Sequence, residues 1–281
     1  MPSLVDILIK TTNYFKEQGI PSPRLETELL FAHFFKMTRI ELYTKFDLPV
    51  QESEIVELRK MVARRGNREP LAWITEECGF YEHDFIVQKG VLCPRSDTET
   101  LVDSVLKLIP LDGEYFIADI GCGSGCIGLS LVLARPNTKL YAVDIAPEAL
   151  ACTKANVARF SLENRVAVLN GPFLTPIPSE RQIDIIVSNP PYIPSEDIWD
   201  CEPEVSKHEP RIALDGGPDG LTAYSMLIPK AAERAKIAVA VEVGIHQATP
   251  VANIMRDSNL KNILIYKDLG GIERVVIGFC N

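Results

Sequence analysis

From about residue 93 onward, short apolar runs of strand length alternate with helical stretches. The runs are FIADI at 116–120, KLYAV at 139–143, RVAVL at 165–169, IDIIVS at 183–188, IAVAVEV at 237–243, and two late ones near 262–267 and 274–279. Parallel neighbours in a sheet need a crossover between them, usually a helix, so this alternation predicts βαβ units and an α/β fold built on a mostly parallel, seven-stranded sheet. In such sheets ligands bind beyond the carboxyl ends of the strands. No internal repeat or low-complexity segment interrupts the pattern.

The first seventy residues read differently, because helix start and stop signals recur at short intervals. Ser3 with Asp6 forms a capping-box pattern ahead of an apolar stripe of Leu4, Ile7, Leu8 and Phe15 that ends at Gly19. Ser22-Pro23 opens a second helix through Leu25, Leu29 and Leu30. Thr38 with Glu41 marks a third, and a fourth carrying Ile55, Leu58, Met61 and Val62 stops near Gly66. Residues 78–92 (CGFYEHDFIVQKGVL) alternate aromatic and β-branched positions between glycines, as a hairpin does. The expected organisation is a four- or five-helix domain over 1–75, a linking hairpin over 76–92 and the α/β domain over 93–281.

Composition narrows the class. With 46% hydrophobic and 24% charged residues in 281, the chain has the balance of an ordinary globular protein. Twenty-nine Lys and Arg against 38 Asp and Glu give a net charge of -9, which disfavours a surface that grips nucleic acid through its phosphates. One basic cluster (Arg59, Lys60, Arg64, Arg65, Arg68) suits either a helix C-terminus or a docking patch for an acidic partner. Seven cysteines at scattered spacings, with no C-x-x-C pair, argue against zinc and disulfides. Neither a signal peptide nor a membrane span is readable, so the expected setting is cytoplasmic and reducing, with no membrane partner.

Two motifs carry chemistry. Gly121-Cys122-Gly123-Ser124-Gly125 follows the FIADI strand directly and leads into an apolar helix, so backbone can approach a ligand closely there. The spacing is G-x-G-x-G with Cys126 where a dinucleotide fingerprint has its third glycine, which tilts the reading away from NAD. Asp144 ends the next strand, where a carboxylate can accept both ribose hydroxyls; capping the helix near Pro147 is a compatible second role. A ribose ligand without a pyrophosphate requirement suggests S-adenosylmethionine. The second motif, Asn189-Pro190-Pro191-Tyr192, closes the IDIIVS strand. Its prolines remove two N–H donors, leaving a rigid set of acceptors suited to a planar NH2 group. The Asn189 oxygen and the Pro190 carbonyl would take its two N–H bonds and aim the nitrogen lone pair at a methyl donor, with Tyr192 covering one face. A non-catalytic adenosyl-binding module is disfavoured by this intact motif.

Together these segments resemble the HemK/PrmC release factor glutamine methyltransferases, which are class I S-adenosylmethionine-dependent enzymes with a Rossmann-like domain. The resemblance rests on SPRLETELL at 22–30, VLCPRSDTETLV at 91–102, DIGCGSGCIGLSL at 119–131, AVD at 142–144, SNPPYIP at 188–194, EPRIALDGGPDGL at 209–221, VEVGIHQ at 241–247 and DLGGIERVVIG at 268–278. It implies N5-methylation of the glutamine in the Gly-Gly-Gln motif of peptide chain release factors, with a helical N-terminal domain that helps dock this substrate. It places the cofactor on Gly121 to Gly125 and Asp144, the adenine-packing residue on Phe173, and a residue shared by cofactor and substrate on Asn189. Three positions depart from the family pattern: Ser96-Asp97 within the usual P-R-P-E-T-E, Pro172 where an acidic residue is common, and the lack of a Pro-Gly-Gly turn between Ala235 and Ala238. N-P-P-Y alone also occurs in adenine methyltransferases, so N6-methylation of adenine in nucleic acid is the alternative; it needs base flipping and a basic surface. Glu242 and Arg95 are further candidates to line the site, with no catalytic role assigned to either.

Overall fold

In the computed structural model, which describes residues 1–280, both capping boxes read from the sequence open helices. The first compact unit, Met1–Glu76, holds α1 (Leu4–Glu17), α2 (Pro23–Phe35), α3 (Arg39–Thr44), α4 (Glu52–Gly66) and α5 (Leu71–Thr75). Its interior forms around Leu4, Leu8, Phe31, Leu42 and Leu58, with a second cluster at Phe15, Ile20, Leu30 and Ile74. Trp73 of α5 is buried here, 3% exposed. Leu25 and Leu29, expected on the inner stripe of α2, are instead 40% and 39% exposed. The helix turns Glu28 inward, where its carboxylate receives Arg24, Arg39 and Tyr43; satisfying that acceptor rotates the leucines outward.

The basic cluster is largely consumed within the same unit. Lys60 pairs with Glu57 at 2.7 Å and Arg64 with Glu69 at 2.6 Å, Arg65 pairs with Glu26, and Arg68 donates to the Gly19 carbonyl at 2.9 Å. The Lys60 pair lies within α4, whereas the Arg65 pair ties α4 to Glu26 of α2.

The second unit runs from Glu77 onward. It contains β1 (Glu77–Phe80), β2 (His83–Ile86), α6 (Glu99–Leu106), β3 (Phe116–Ile120), α7 (Cys126–Ala134), β4 (Lys139–Asp144), α8 (Pro147–Arg159) and β5 (Val166–Asn170). There follow β6 (Ile183–Ser188), α9 (Pro203–His208), α10 (Thr222–Arg234), β7 (Ala235–Glu242), α11 (Ala248–Asp257), β8 (Lys261–Lys267) and β9 (Glu273–Phe279). The sheet order is β5-β4-β3-β6-β7-β9-β8; the first five strands are parallel, and β9 is antiparallel to both its neighbours. One apolar layer lies on each face of this sheet. β3 and β6 are neighbours although β4 and β5 lie between them in sequence, so the direction of winding reverses there and the carboxyl ends part to form a crevice.

The hairpin β1–β2 packs with this second unit rather than standing between two domains: Phe80 and Phe85 sit in the same core cluster as Leu101 and Ile117. Burial of two phenylalanines decides the matter, at roughly 1.5–3 kcal/mol each. At the expected shortened loop, α10 ends at Arg234 and β7 begins at Ala235, with no residue between them. No helix among the described residues is long and apolar enough to cross a membrane, and no group of three His, Cys, Asp or Glu among them is placed to hold a metal ion. All seven cysteines are free thiols.

Candidate active site

The glycine loop takes its shape from three left-handed residues: Gly121, Gly123 and Gly125 have φ of 72°, 58° and 82°. Any L-residue would be strained there. Space matters as well, because a Cβ added at Gly121 or Gly123 would meet nothing within 4 Å, so the loop presents bare backbone to an open cavity. The N–H groups of Gly121 and Cys122 both donate to the Val143 carbonyl at 2.8 and 3.0 Å, which ties the loop to β4. α8 supports it from behind, since Thr153 donates to the Gly123 carbonyl at 2.9 Å and Asn156 to that of Ser124 at 2.9 Å.

Asp144 stands at the end of β4 with both oxygens engaged once. One accepts the Gly123 N–H at 2.9 Å, the other the Ala146 N–H at 2.9 Å. The N-cap of α8 is Ala146, so Asp144 makes a local turn rather than the cap. Each oxygen keeps a lone pair, and the carboxylate borders the cavity.

That cavity has a volume of about 360 Å³, ample for a nucleoside-sized ligand. It is lined by Gly121 to Ser124, by Asp144, by Phe173 and by Asn189, Pro190 and Pro191, so the two motifs read from the sequence meet in one place. Phe173 reaches it with φ of 50°, an unusual conformation for a side chain with a Cβ, and Lys230 stands over its ring at 5.6 Å. Irregular backbone at 90–95 forms another wall. Arg95 borders the cavity there and is paired at 2.7 Å with the buried Glu209, whose carboxyl is pushed up by burial. Ile212 borders the cavity and is exposed; Trp199 is exposed too, with Arg211 over its ring at 5.6 Å.

Tyr192 departs from expectation. It is not among the lining residues, and its hydroxyl donates at 3.3 Å to Glu242 at the end of β7. Its backbone is gripped closely. Gln247 donates to its carbonyl at 2.8 Å, and a Cβ on Gly216 would come within 2.8 Å of its Cα, so the turn at 215–220 seats directly on the N-P-P-Y backbone. Burial pushes the Tyr192 phenol up, with the Glu242 charge acting in the same direction. Burial also raises two carboxyls above the ordinary range. Asp119, fully buried beneath the glycine loop, and Glu242 are both pushed up to about 7 by burial.

Comparison with known proteins follows this geometry. A model of the PrmC N-terminal domain matches residues 6–75, and one of the methyltransferase small domain matches residues 84–200. A release factor glutamine methyltransferase of Geobacter sulfurreducens is 39% identical over 274 residues, covering 97% of this chain and 95% of the relative. This chain belongs to the release factor glutamine methyltransferase family. A further member from Caulobacter vibrioides is 38% identical over 281 residues, covering 99% of this chain and 97% of the relative. Among solved structures, the hMettl16 catalytic domain in complex with a 3′UTR hairpin superposes with a TM-score of 0.58 at 15% identity, covering 88% of each chain, a likeness of fold alone. The α/β domain is accordingly a class I methyltransferase domain.

Proposed function

We propose that this protein transfers the methyl group of S-adenosylmethionine to the side-chain amide nitrogen of the glutamine in the Gly-Gly-Gln motif of peptide chain release factors. The observation that carries this reading is that the glycine loop, Asp144 and Asn189-Pro190-Pro191 line one cavity at the reversal of the sheet. The cavity fits the cofactor in kind. It offers bare backbone at Gly121 and Gly123, a carboxylate with spare lone pairs for ribose hydroxyls, and the Phe173 ring for an adenine face. When bound, S-adenosylmethionine supplies a methyl group on a positively charged sulfur.

The substrate nitrogen is a poor nucleophile because its lone pair is delocalised into the amide. The Asn189 oxygen and the Pro190 carbonyl accept its two N–H bonds and thereby aim the lone pair. Fixed acceptors also favour positive charge as it grows on nitrogen in the transition state, which is differential binding rather than acid–base chemistry. The methylated nitrogen then loses its surplus proton to water without a general base. The helical unit, which matches the PrmC N-terminal domain model, serves to dock the release factor, and a reducing cytoplasm suits a substrate of the translation machinery.

The test is incubation with labelled cofactor and purified release factor, followed by mass spectrometry of the Gly-Gly-Gln peptide. One methyl group on the glutamine is expected. Label entering added DNA or RNA instead would assign the pocket to an adenine amine and overturn the reading.

A further inference from the structure

At the end of β7, next to the cavity-lining Thr98, stands a buried carboxyl that none of the motif roles above employs. Glu242 is 2% exposed, and its Oε2 has no hydrogen-bond partner. Its Oε1 receives the Tyr192 hydroxyl at 3.3 Å, and the Tyr224 hydroxyl donates at 2.8 Å to the carbonyl of Glu242 itself, fixing the residue at the strand end. The Thr98 hydroxyl, 2% exposed, stands beside the same carboxyl and favours its charged form. Thr98 in turn accepts from Nδ2 of Asn189 at 3.4 Å. An isolated carboxyl in such a place is costly, so a second hydroxyl beside a vacant oxygen has a clear partner.

We propose that Glu242 is a positioning residue, holding the hydroxyls of Tyr192 and Thr98 and, through Thr98, turning the Asn189 side chain so that its oxygen faces the cavity. The chemistry follows from donor counts. Asn189 has one acceptor and two donors on its amide. With Nδ2 occupied by Thr98, the oxygen is left for the substrate. Thr98 can accept from Asn189 only if its own proton points elsewhere, and the unpartnered Oε2 is the acceptor at hand. Above about pH 7, where Glu242 is ionised, its carboxylate is acceptor-only, which is why Gln, with an NH2 at one end, cannot hold two hydroxyls in the same sense. The 3₁₀ turn Ser96–Thr98 that presents Thr98 is itself tied down, because Arg274 of β9 pairs with Asp97 at 3.0 Å and with Asp268 at 3.0 Å. The long distances at Tyr192 and Asn189 suit hydrogen bonds that tighten only when substrate fills the site.

This inference rests on the methyl-transfer reading, so the experiment has one arm that needs no substrate. In the full-length protein, the side-chain NH2 resonances of Asn189 are recorded for the wild type, Glu242→Gln and Thr98→Val. Both substitutions are near-isosteric and preserve the fold. Both are expected to shift these resonances. The second arm measures single-turnover methyl transfer into release factor with saturating cofactor, together with cofactor affinity. Glu242→Gln is expected to slow transfer at least about tenfold, as loss of orientation does, while cofactor affinity stays within about threefold. Asn189 resonances unchanged in both variants overturn the proposal whatever the rates. So does a wild-type transfer rate in Glu242→Gln. If the wild type itself transfers nothing to release factor, the substrate reading fails, and the resonances alone decide the role of Glu242.

Discussion

At the scale of single residues, the proposed roles fall chiefly on two side chains, and their removal should act differently. Asn189→Ala removes the acceptor proposed to aim the amide while leaving the glycine loop intact. The expected loss is ~10²-fold or more in kcat, with little change in cofactor affinity. Single-turnover transfer beside circular dichroism checks it; a folded variant within about threefold of wild type would leave the Pro190 carbonyl as the sufficient acceptor. Asp144→Ala acts on the other side of the cavity. It releases the Gly123 and Ala146 N–H groups along with the proposed ribose contacts, so calorimetry should show cofactor binding weakened by ~1–3 kcal/mol. Unchanged affinity would take Asp144 out of the cofactor site.

The buried carboxyls add a pH dependence with a defined sign. Asp119 and Glu242 rise from ordinary values of 3.8 and 4.5 to about 7, so the folded chain holds protons that the unfolded chain has released. Their contribution is full below those ordinary values and is lost as pH rises through about 7. Denaturant unfolding should therefore show stability falling between about pH 5 and pH 8, by on the order of 3 kcal/mol for Glu242 alone. Glu242→Gln should flatten that slope; an equally steep profile in the variant would place the titration elsewhere.

Among the elements, α8 is the one whose polar face organises the site. Asn156 is completely buried; its oxygen accepts the Ile86 N–H at 2.7 Å, and its nitrogen donates to the carbonyls of Ile86 and Ser124 at 2.8 and 2.9 Å. One side chain thus joins the edge of β2 to the glycine loop. Asn156→Ala leaves three backbone groups, all at least partly buried, without that partner, and a stability loss of about 2 kcal/mol, with weaker cofactor binding, is expected from denaturation and calorimetry. A change below about 0.5 kcal/mol would mean that water replaces the amide.

Much of this scale was legible beforehand. The runs FIADI and IDIIVS coincide with β3 and β6, because strands buried on both faces read as continuous apolar stretches bounded by turn residues. The glycine loop and Asn189-Pro190-Pro191 were legible for the same local reason: φ restriction and missing donors are properties of the residue itself. Asn156, the inward turn of Glu28 and the partnership of Tyr192 with Glu242 were not legible. Each depends on a polar group finding a partner on another element, from 11 to 70 residues away, and no period in the sequence records that. The helical 3₁₀ turns and α9 between 197 and 213 escaped notice too, since none exceeds six residues and none carries an apolar stripe.

For the whole molecule, the separation of labour between the two units is testable by removing residues 1–76. No reactive constellation lies in them, and the residues that line the cavity all lie from Gly90 onward. A folded truncation should bind cofactor with near-native affinity while KM for intact release factor rises at least about tenfold; equal KM would end the docking role. The same separation gives the chain a built-in optical label. Its two tryptophans fall one to each unit, Trp73 at 3% exposure and Trp199 at 70% beneath the Arg211 guanidinium. An indole in an apolar interior emits to the blue of one in water, so the emission spectrum is a sum of two separable colours. Melting of the helical unit moves only the blue component toward red, whereas an event that disturbs the Arg211–Trp199 stack changes only the red one, and a single unmodified sample reports the two on different wavelengths.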